Sequence, residues 1–249
     1  MFAEANIDQV GVVKAILDDF CDISGQKVNA GKSRIYFSKN VNHNRCKEIS
    51  DFFNFIPTSN LRKYLGMPIL HEQSSKATYN FLLNKMDARL ANWKSNMLSM
   101  AARHTLVSSV LSAMSSYAMQ TVPLPLSTCD EIDKRCRNLI WGSSSTNRKP
   151  HLVSWDSVCT HKEDGGLGLR KAHYQNKAFM MKLGWGMINR HDSLWVIFLR
   201  EKYKAVNDII SKVEKRRCES NTWRGIRNSW EKVTDSISWR VKNGQNIYF

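Results

Sequence analysis

The run Asp164-Gly165-Gly166-Leu167-Gly168-Leu169-Arg170 places three glycines ahead of a basic residue. Backbone N–H groups in such a run can cradle a phosphate. A tight turn between short strands needs the same glycines and is the preferred reading. Asp18-Asp19 is a pair of adjacent carboxylates. Neighbours on a helix point about 100° apart, so the pair reads as a solvated face. Asp130, Glu131 and Asp133 open a helix, where carboxylates complement the macrodipole. The six cysteines, Cys21, Cys46, Cys129, Cys136, Cys159 and Cys218, form no CxxC pair and are scattered as reduced intracellular thiols are. His151, Cys159 and His161 with Cys136 could be written as a zinc set, but the spacing matches no standard finger. No GxSxG elbow, HExxH helix or Walker loop occurs. No metal set is expected.

The 249 residues carry 37 Lys and Arg against 22 Asp and Glu, a formal net charge of +15. Such a surface attracts polyanions, nucleic acid first and acidic membrane second; a basic protein with no such partner is the plainer alternative. Residues 1–79 carry 10 basic and 8 acidic groups, residues 80–150 carry 9 and 4, and residues 151–249 carry 18 and 10. The polyanion surface therefore belongs to the last two thirds. Eight tryptophans among these cations suggest a stacking platform for single strands. Trp93, Trp195, Trp223 and Trp230 lie on helical stripes and read as core; Trp141, Trp155, Trp185 and Trp239 are less determined.

Hydrophobic residues make up 42% and charged residues 24% of the chain, which excludes disordered and collagen-like classes. No apolar run approaches the length of a membrane span. Met1-Phe2-Ala3-Glu4 has no basic region leading into an apolar stretch, so a nuclear or cytoplasmic protein is expected and a secreted one is not.

Helical spacing sets Val10, Val13, Leu17 and Phe20 on one face, stopped by Ser24-Gly25. Val28 to Ser38 alternates as a half-buried strand fed by a turn at Asn29-Ala30-Gly31-Lys32. A second helix is expected near Asn42 to Asn54, with Cys46, Ile49, Phe52 and Phe53 inward. Lys63 to Ile69 is a short extended piece that Pro68 assigns to an edge or hairpin. Three further stripes follow: Tyr79, Leu82, Met86, Leu90 and Trp93; Val107, Val110, Leu111, Met114 and Tyr117; Ile132, Cys136, Leu139 and Ile140. Three such helices make a small bundle. The loop Gly142 to Pro150 marks a boundary. Beyond it, Phe179, Met180, Leu183 and Met187, then Leu194, Trp195, Phe198 and Leu199, then Trp223, Ile226, Trp230, Val233 and Ile237 read as helices. Ser211 to Glu219 reads as a polar linker, and Trp239 to Phe249 as a strand around the hairpin signal Asn243-Gly244.

Several segments, in order, resemble the reverse transcriptase of non-LTR (LINE-type) retrotransposons of the plant type. Phe2-Ala3-Glu4-Ala5 and Ser24-Gly25-Gln26-Lys27-Val28-Asn29-Ala30-Gly31-Lys32-Ser33 resemble the stretch that follows the catalytic Asp-Asp strand and runs into motif D. Lys63-Tyr64-Leu65-Gly66-Met67-Pro68-Ile69 resembles motif E, the primer grip. Leu90, Trp93-Lys94, Leu98-Ser99, Arg103, Val110-Leu111, Ile132-Asp133 and Trp141-Gly142 resemble the thumb. His151-Leu152-Val153-Ser154-Trp155, Val158-Cys159, Gly165-Gly166-Leu167-Gly168 and Asn176-Lys177-Ala178 resemble the segment after the thumb.

The resemblance implies a mainly α fold with a small β part: a palm remnant over 1–74, a thumb-like three-helix bundle over 75–142, and a basic, mostly helical region over 151–249. It puts Lys32 on the motif D lysine, whose family role is general acid to the departing pyrophosphate. It puts Tyr64, Leu65 and Gly66 on the primer grip, and makes Lys85, Arg89, Lys94 and Arg103 candidate phosphate contacts. It also implies that the metal-binding aspartates have no counterpart here. The Mg²⁺ of the intact family is therefore not expected in this chain, nor is polymerase activity, which needs two metals held by carboxylates. The endonuclease, ribonuclease H and zinc-knuckle modules of such elements have no counterpart in these residues either. A residual, sequence-independent nucleic-acid-binding module and a non-functional relic or partial gene product are the alternatives.

Overall fold

Asn6 and Gly25 fix the length of the first helix. Asn6 is extended and its Oδ1 accepts the Asp8 N–H at 3.2 Å, an N-cap that starts α1 at Ile7–Ser24. Gly25, at φ 68°, sends its N–H back to the Cys21 carbonyl and ends it. In this computed structural model the described residues are 3–61, 63–64, 66–69, 76–91, 97–143, 148–190, 192–205 and 213–238. They fall in two units, Met1–Glu72 and Gln73–Phe249. The chain is mainly helical with a small β part, as its periodicity predicts.

In the first unit, α2 (His43–Phe53) is capped by Asn42 and closed by Asn54 at φ 54°. Ile49 is buried, and Cys46 and Phe53 are half-buried. Phe52 is exposed, contrary to expectation; its ring lies under the Lys14 ammonium at 4.7 Å, a contact that makes a surface aromatic tolerable. On α1 only Val10 is fully buried, Val13 and Leu17 are half-buried, and Phe20 is exposed. The described helix that packs on it, α2, has 11 residues against 18 and covers part of the face.

The expected strand contracts to β1 (Arg34–Tyr36). The Asn29 side chain accepts from Lys32 N–H, and its carbonyl accepts from Lys32 and Ser33, which commits 29–33 to a turn. β1 pairs in parallel with β2 (Ile56–Thr58), Ile35 opposite Pro57, with α2 as the crossover. β3 (Lys63–Tyr64) and β4 (Met67–Pro68) form an antiparallel hairpin, Tyr64 opposite Met67. Gly66 sits in its turn at φ 85°, a conformation that favours glycine.

In the second unit a 3₁₀ turn (Lys76–Tyr79) leads into α3 (Asn80–Ala91). Tyr79, Leu82 and Met86 are buried as predicted, with Leu83, while Leu90 is half-buried; Trp93 lies outside the described residues. The next rod is α4 (Met100–Leu106), a π-helical turn (Val107–Leu111) and α5 (Ser112–Met119). The π turn corrects the predicted stripe. Its wider turn delays the phase by about one residue, so after Val107 and Leu111 the buried positions are Ser115, Ala118 and Met119, while Tyr117 is exposed. The Ser112 backbone N–H and hydroxyl both reach the Val107 carbonyl five residues back.

α6 (Leu126–Trp141) buries Cys129, Ile132, Cys136, Leu139 and Ile140, and ends at Gly142 in the left-handed region. Arg135 joins it to α3 with two parallel bonds to Asp87, at 2.7 and 2.8 Å, and a third to Glu131 at 2.8 Å. Past the loop come a one-turn α7 (Trp155–Val158), α8 (Ala172–Asn189), α9 (Leu194–Tyr203) and α10 (Asn221–Asp235). α8 packs on α5, α6 and, most extensively, α10. Gly225 allows the last approach, since a Cβ there would meet the Met180 sulfur and Pro123.

Met187, Leu199, Tyr203, Ala205, Trp223 and Ile226 form one buried cluster. The Trp223 indole stacks on Tyr203 at 4.2 Å, and the Tyr203 hydroxyl accepts the Ser220 N–H at the start of α10. On α9 the buried face is Val196, Leu199 and Tyr203; Leu194 and Phe198, expected inward, are exposed. The strand expected over Trp239 to Phe249 lies outside the described residues.

The segment read as a linker is tied down where it is described. The Glu219 carboxylate accepts from the Arg216 N–H at 2.9 Å and the Arg227 Nε at 3.1 Å, and the Glu214 carbonyl accepts from the Trp223 indole. Burial pushes the Glu219 carboxyl upward, but the Arg216 N–H and the Arg227 and Arg224 charges outweigh it and hold it below its ordinary value. A lowered carboxyl stabilises the fold above its unfolded value, about 4.3, and that contribution is lost as pH falls through the folded value. Glu219→Gln is therefore expected to be less stable at neutral pH and to show a shallower acid loss of stability. Thermal melts between pH 7 and pH 3 check this; parallel curves for the two proteins would contradict it.

Candidate nucleic-acid interface

The segment from Ser154 to Lys171 is a chain of tight turns. Ser154 caps α7 by accepting the Ser157 N–H at 3.1 Å. A 3₁₀ turn (Lys162–Asp164) ends at Gly165, φ 83°. The N–H groups of Asp164 and Gly166 reach the His161 carbonyl, that of Gly165 reaches Lys162, that of Leu167 reaches Val158, and that of Gly168 reaches Thr160. All five donors are consumed inside the turn, so the glycine run is a turn and no phosphate cradle. Gly166 is required by close approach, because a Cβ would meet the Thr160 carbonyl. His104 Nε2 holds this turn to α4 at 3.0 Å from the Leu167 carbonyl.

α8 is held on its inner face by two polar contacts, the first half-buried and the second buried. Its first N–H, Ala172, donates to Asp133 Oδ1 of α6 at 3.0 Å, an N-cap supplied by a neighbouring helix. Burial raises the Asp133 carboxyl above its ordinary value, against the lowering effect of that N–H. Asn176 is buried one turn on. Its Oδ1 accepts the Leu124 N–H at 2.9 Å, and its Nδ2 donates to Met119 and Val122 carbonyls at 3.3 and 3.1 Å.

Between the turns and α8 lies a cleft of about 710 Å³, whose walls include His161, Arg170, Lys171, Tyr174, Phe179 and Lys182. Lys171 Nζ pairs with Asp156 at 2.6 Å and lies 5.7 Å from the Tyr174 ring centre. That carboxylate holds the Lys171 ammonium above its ordinary value. Arg170 and Lys182 are exposed and make no ion pair among the described residues. Burial pushes the Cys159 thiol, also in the wall, up to about 11, and the Cys129 and Cys136 thiols up to about 12. Thiols so raised stay protonated near neutral pH and are poor nucleophiles and metal ligands. No group of three or more His, Cys, Asp and Glu is placed to hold a metal among the described residues. The cleft has the means to bind an anion bearing an aromatic ring.

Lys32 is exposed after the Asn29 turn in the first unit. Gly66 shapes the β3–β4 turn; Leu65 and Lys94 lie outside the described residues, as does the Tyr64 side chain. Lys85 and Arg89 are exposed one turn apart on α3, on one side of the helix. Arg103 faces the end of α6: its guanidinium donates to the Ile140 carbonyl at 3.2 Å, and Gly142 leaves room for it. The residues missed by sequence reasoning are Lys171, Tyr174 and Lys182; Arg170 entered only as the basic end of the glycine run. For Tyr174 and Lys182 the signal was the complement of the apolar stripe, since Tyr174, Ala178 and Lys182 repeat at four-residue steps opposite Asn176 and Met180.

No family model matches the chain. Over 186 residues it is 36% identical to a protein of Arabidopsis thaliana whose name carries the words ribonuclease H protein; the match covers 74% of this chain and 30% of that protein. Over 133 residues it is 27% identical to an uncharacterized mitochondrial protein of Arabidopsis thaliana, covering 53% of this chain and 86% of that protein. The chain thus spans under a third of the first of these relatives and most of the second.

Proposed function

We propose that this chain is a retroelement-derived segment, corresponding to the part of a LINE-type reverse transcriptase that follows the catalytic carboxylates, and that it acts by holding nucleic acid. The name of the Arabidopsis relative that matches 74% of the chain supports the retroelement reading, because ribonuclease H chemistry is performed on nucleic acid. The ordered motifs, from the Lys32 turn through Lys63–Ile69 to Asn176-Lys177-Ala178, support the finer assignment. The single observation that carries the binding reading is the exposed cation set of the second unit, which has no ion-pair partner among the described residues: Lys85 and Arg89 on α3, Arg170 and Lys182 beside the cleft. Phosphate neutralisation by such cations is the main sequence-independent term in nucleic-acid affinity.

The proposal makes the 249 residues a binding module that extends no primer by itself, since two-metal phosphoryl transfer needs paired carboxylates. If four cations contact phosphates, affinity for an RNA–DNA duplex is expected to fall roughly a hundredfold between 50 and 200 mM salt. Titration of labelled duplex at the two salt concentrations checks the binding claim; an unchanged affinity would overturn it. Primer extension with Mg²⁺ or Mn²⁺ checks the rest, and template-dependent product above a heat-inactivated control would contradict it.

A further inference from the structure

Helix α8 has two faces of different chemistry. Ala172, Asn176, Met180, Gly184 and Met187 are buried. On the opposite side, Tyr174 is 63% and Trp185 48% exposed, and Lys182 is exposed between them. At about 100° per residue, Tyr174, Ala178, Lys182 and Trp185 fall within an arc of roughly 80°, the two aromatics only about 20° apart. Single exposed aromatics need no explanation. Two in line along one helix, with cations beside them and a cleft at one end, form a patterned surface. Tyr174 and Lys182 also line the cleft, together with Arg170. The one carboxylate among its walls, Asp156, is neutralised by Lys171 at 2.6 Å.

We propose that this outer face of α8, continued into the cleft, is a stacking track for single-stranded nucleic acid, with bases against Tyr174 and Trp185 and phosphates along Arg170 and Lys182. It rests on the reading that the protein holds nucleic acid, and names where and in which form. Charge complementarity selects a polyanion, and the aromatic faces select one whose bases are accessible. A duplex keeps its bases inside the stack, so rings on a helix surface gain nothing from it. A mononucleotide is too short: eleven residues separate the two rings, about 16 Å along the helix axis. A single strand offers successive bases over that distance, and every base has a face to stack.

Fluorescence anisotropy of the full chain tests this, with a fluorescein-labelled 16-nucleotide RNA single strand, a matching RNA–DNA duplex, and ATP as competitor. Tyr174→Ala and Trp185→Ala are each expected to weaken single-strand binding by at least about fivefold, the lower end for loss of one base–aromatic stack. Duplex binding is expected to change less than twofold. Tyr174→Phe and Trp185→Phe keep a ring and are expected to bind near wild type. Both positions are on the surface, so unchanged melting temperatures separate a binding loss from unfolding. Alanine variants that lose single strand and duplex equally, or lose neither, overturn the track, as does displacement of the strand by millimolar ATP. If the unsubstituted chain binds neither ligand, the nucleic-acid reading itself fails, a result distinct from loss of the track alone.

Discussion

Asn176→Ala is expected to lower the stability of the second unit by about 3–5 kcal/mol, a drop of roughly 10 °C in melting temperature. The reason is the number of groups one amide serves. Its oxygen takes the Leu124 N–H, and its nitrogen serves two carbonyls, Met119 and Val122. Those backbone groups leave the end of α5 and enter the Pro123-Leu124-Pro125 connection, where helix geometry supplies no partners. Truncation would orphan all three in a site where Asn176 is 6% exposed, and each buried orphan costs about 1–3 kcal/mol, less what trapped water recovers. Asn176→Asp keeps the acceptor but turns a donor into an acceptor facing two carbonyls. Its carboxyl would be raised in the folded state, so the variant should be least unstable at low pH and lose stability as pH rises through that raised value. Denaturant unfolding followed by circular dichroism checks both; an Asn176→Ala cost under 1 kcal/mol would show that the amide is not the clamp.

Trp223→Ala is expected to cost about 3–5 kcal/mol as well, by a different route. Trp223 is 1% exposed at the centre of the α8–α9–α10 cluster. Its ring lies on Tyr203 and its indole N–H reaches the Glu214 carbonyl at 3.3 Å. Loss of the ring opens a cavity beside Met187 and Ile226 and releases the 213–220 segment. Trp223→Phe restores stacking but not the hydrogen bond, and is expected to recover more than half of the loss. Thermal melts of the two variants check this. Equal losses would place the stabilisation in the indole N–H rather than in packing.

Much of this architecture is legible in the residues. Asn6, Asn42, Gly25 and Gly142 bound their helices by local chemistry, and the 3.6-residue stripes of α3, α6 and α10 identify buried faces directly. The failures have a common cause: they depend on something outside the local pattern. The π turn at Val107–Leu111 shifts the phase of α5, and apolar spacing cannot register an added residue per turn. Phe52 lies at the surface, where a lysine from another helix partly covers its ring, a contact no local spacing can register. β2 has three residues, one of them proline, and so shows no alternation. The buried polar contacts were invisible for the same reason. Asp133 reads as a macrodipole carboxylate of its own helix, yet it caps α8, 39 residues away. At the candidate site the polar side of α8 was legible once its apolar side was fixed. The cleft was not, because it needs the 156–171 turns brought against the helix.

Photo-crosslinking of the full chain to a 4-thiouridine-substituted RNA single strand, with mass-spectrometric mapping of the joined peptides, addresses the central claim most directly. Peptides from residues 168–187 are expected to dominate, with crosslinks at Tyr174 and Trp185 that vanish in 1 M salt. Crosslinks absent altogether, or confined to residues 3–61, would contradict the assignment of nucleic-acid binding to this face.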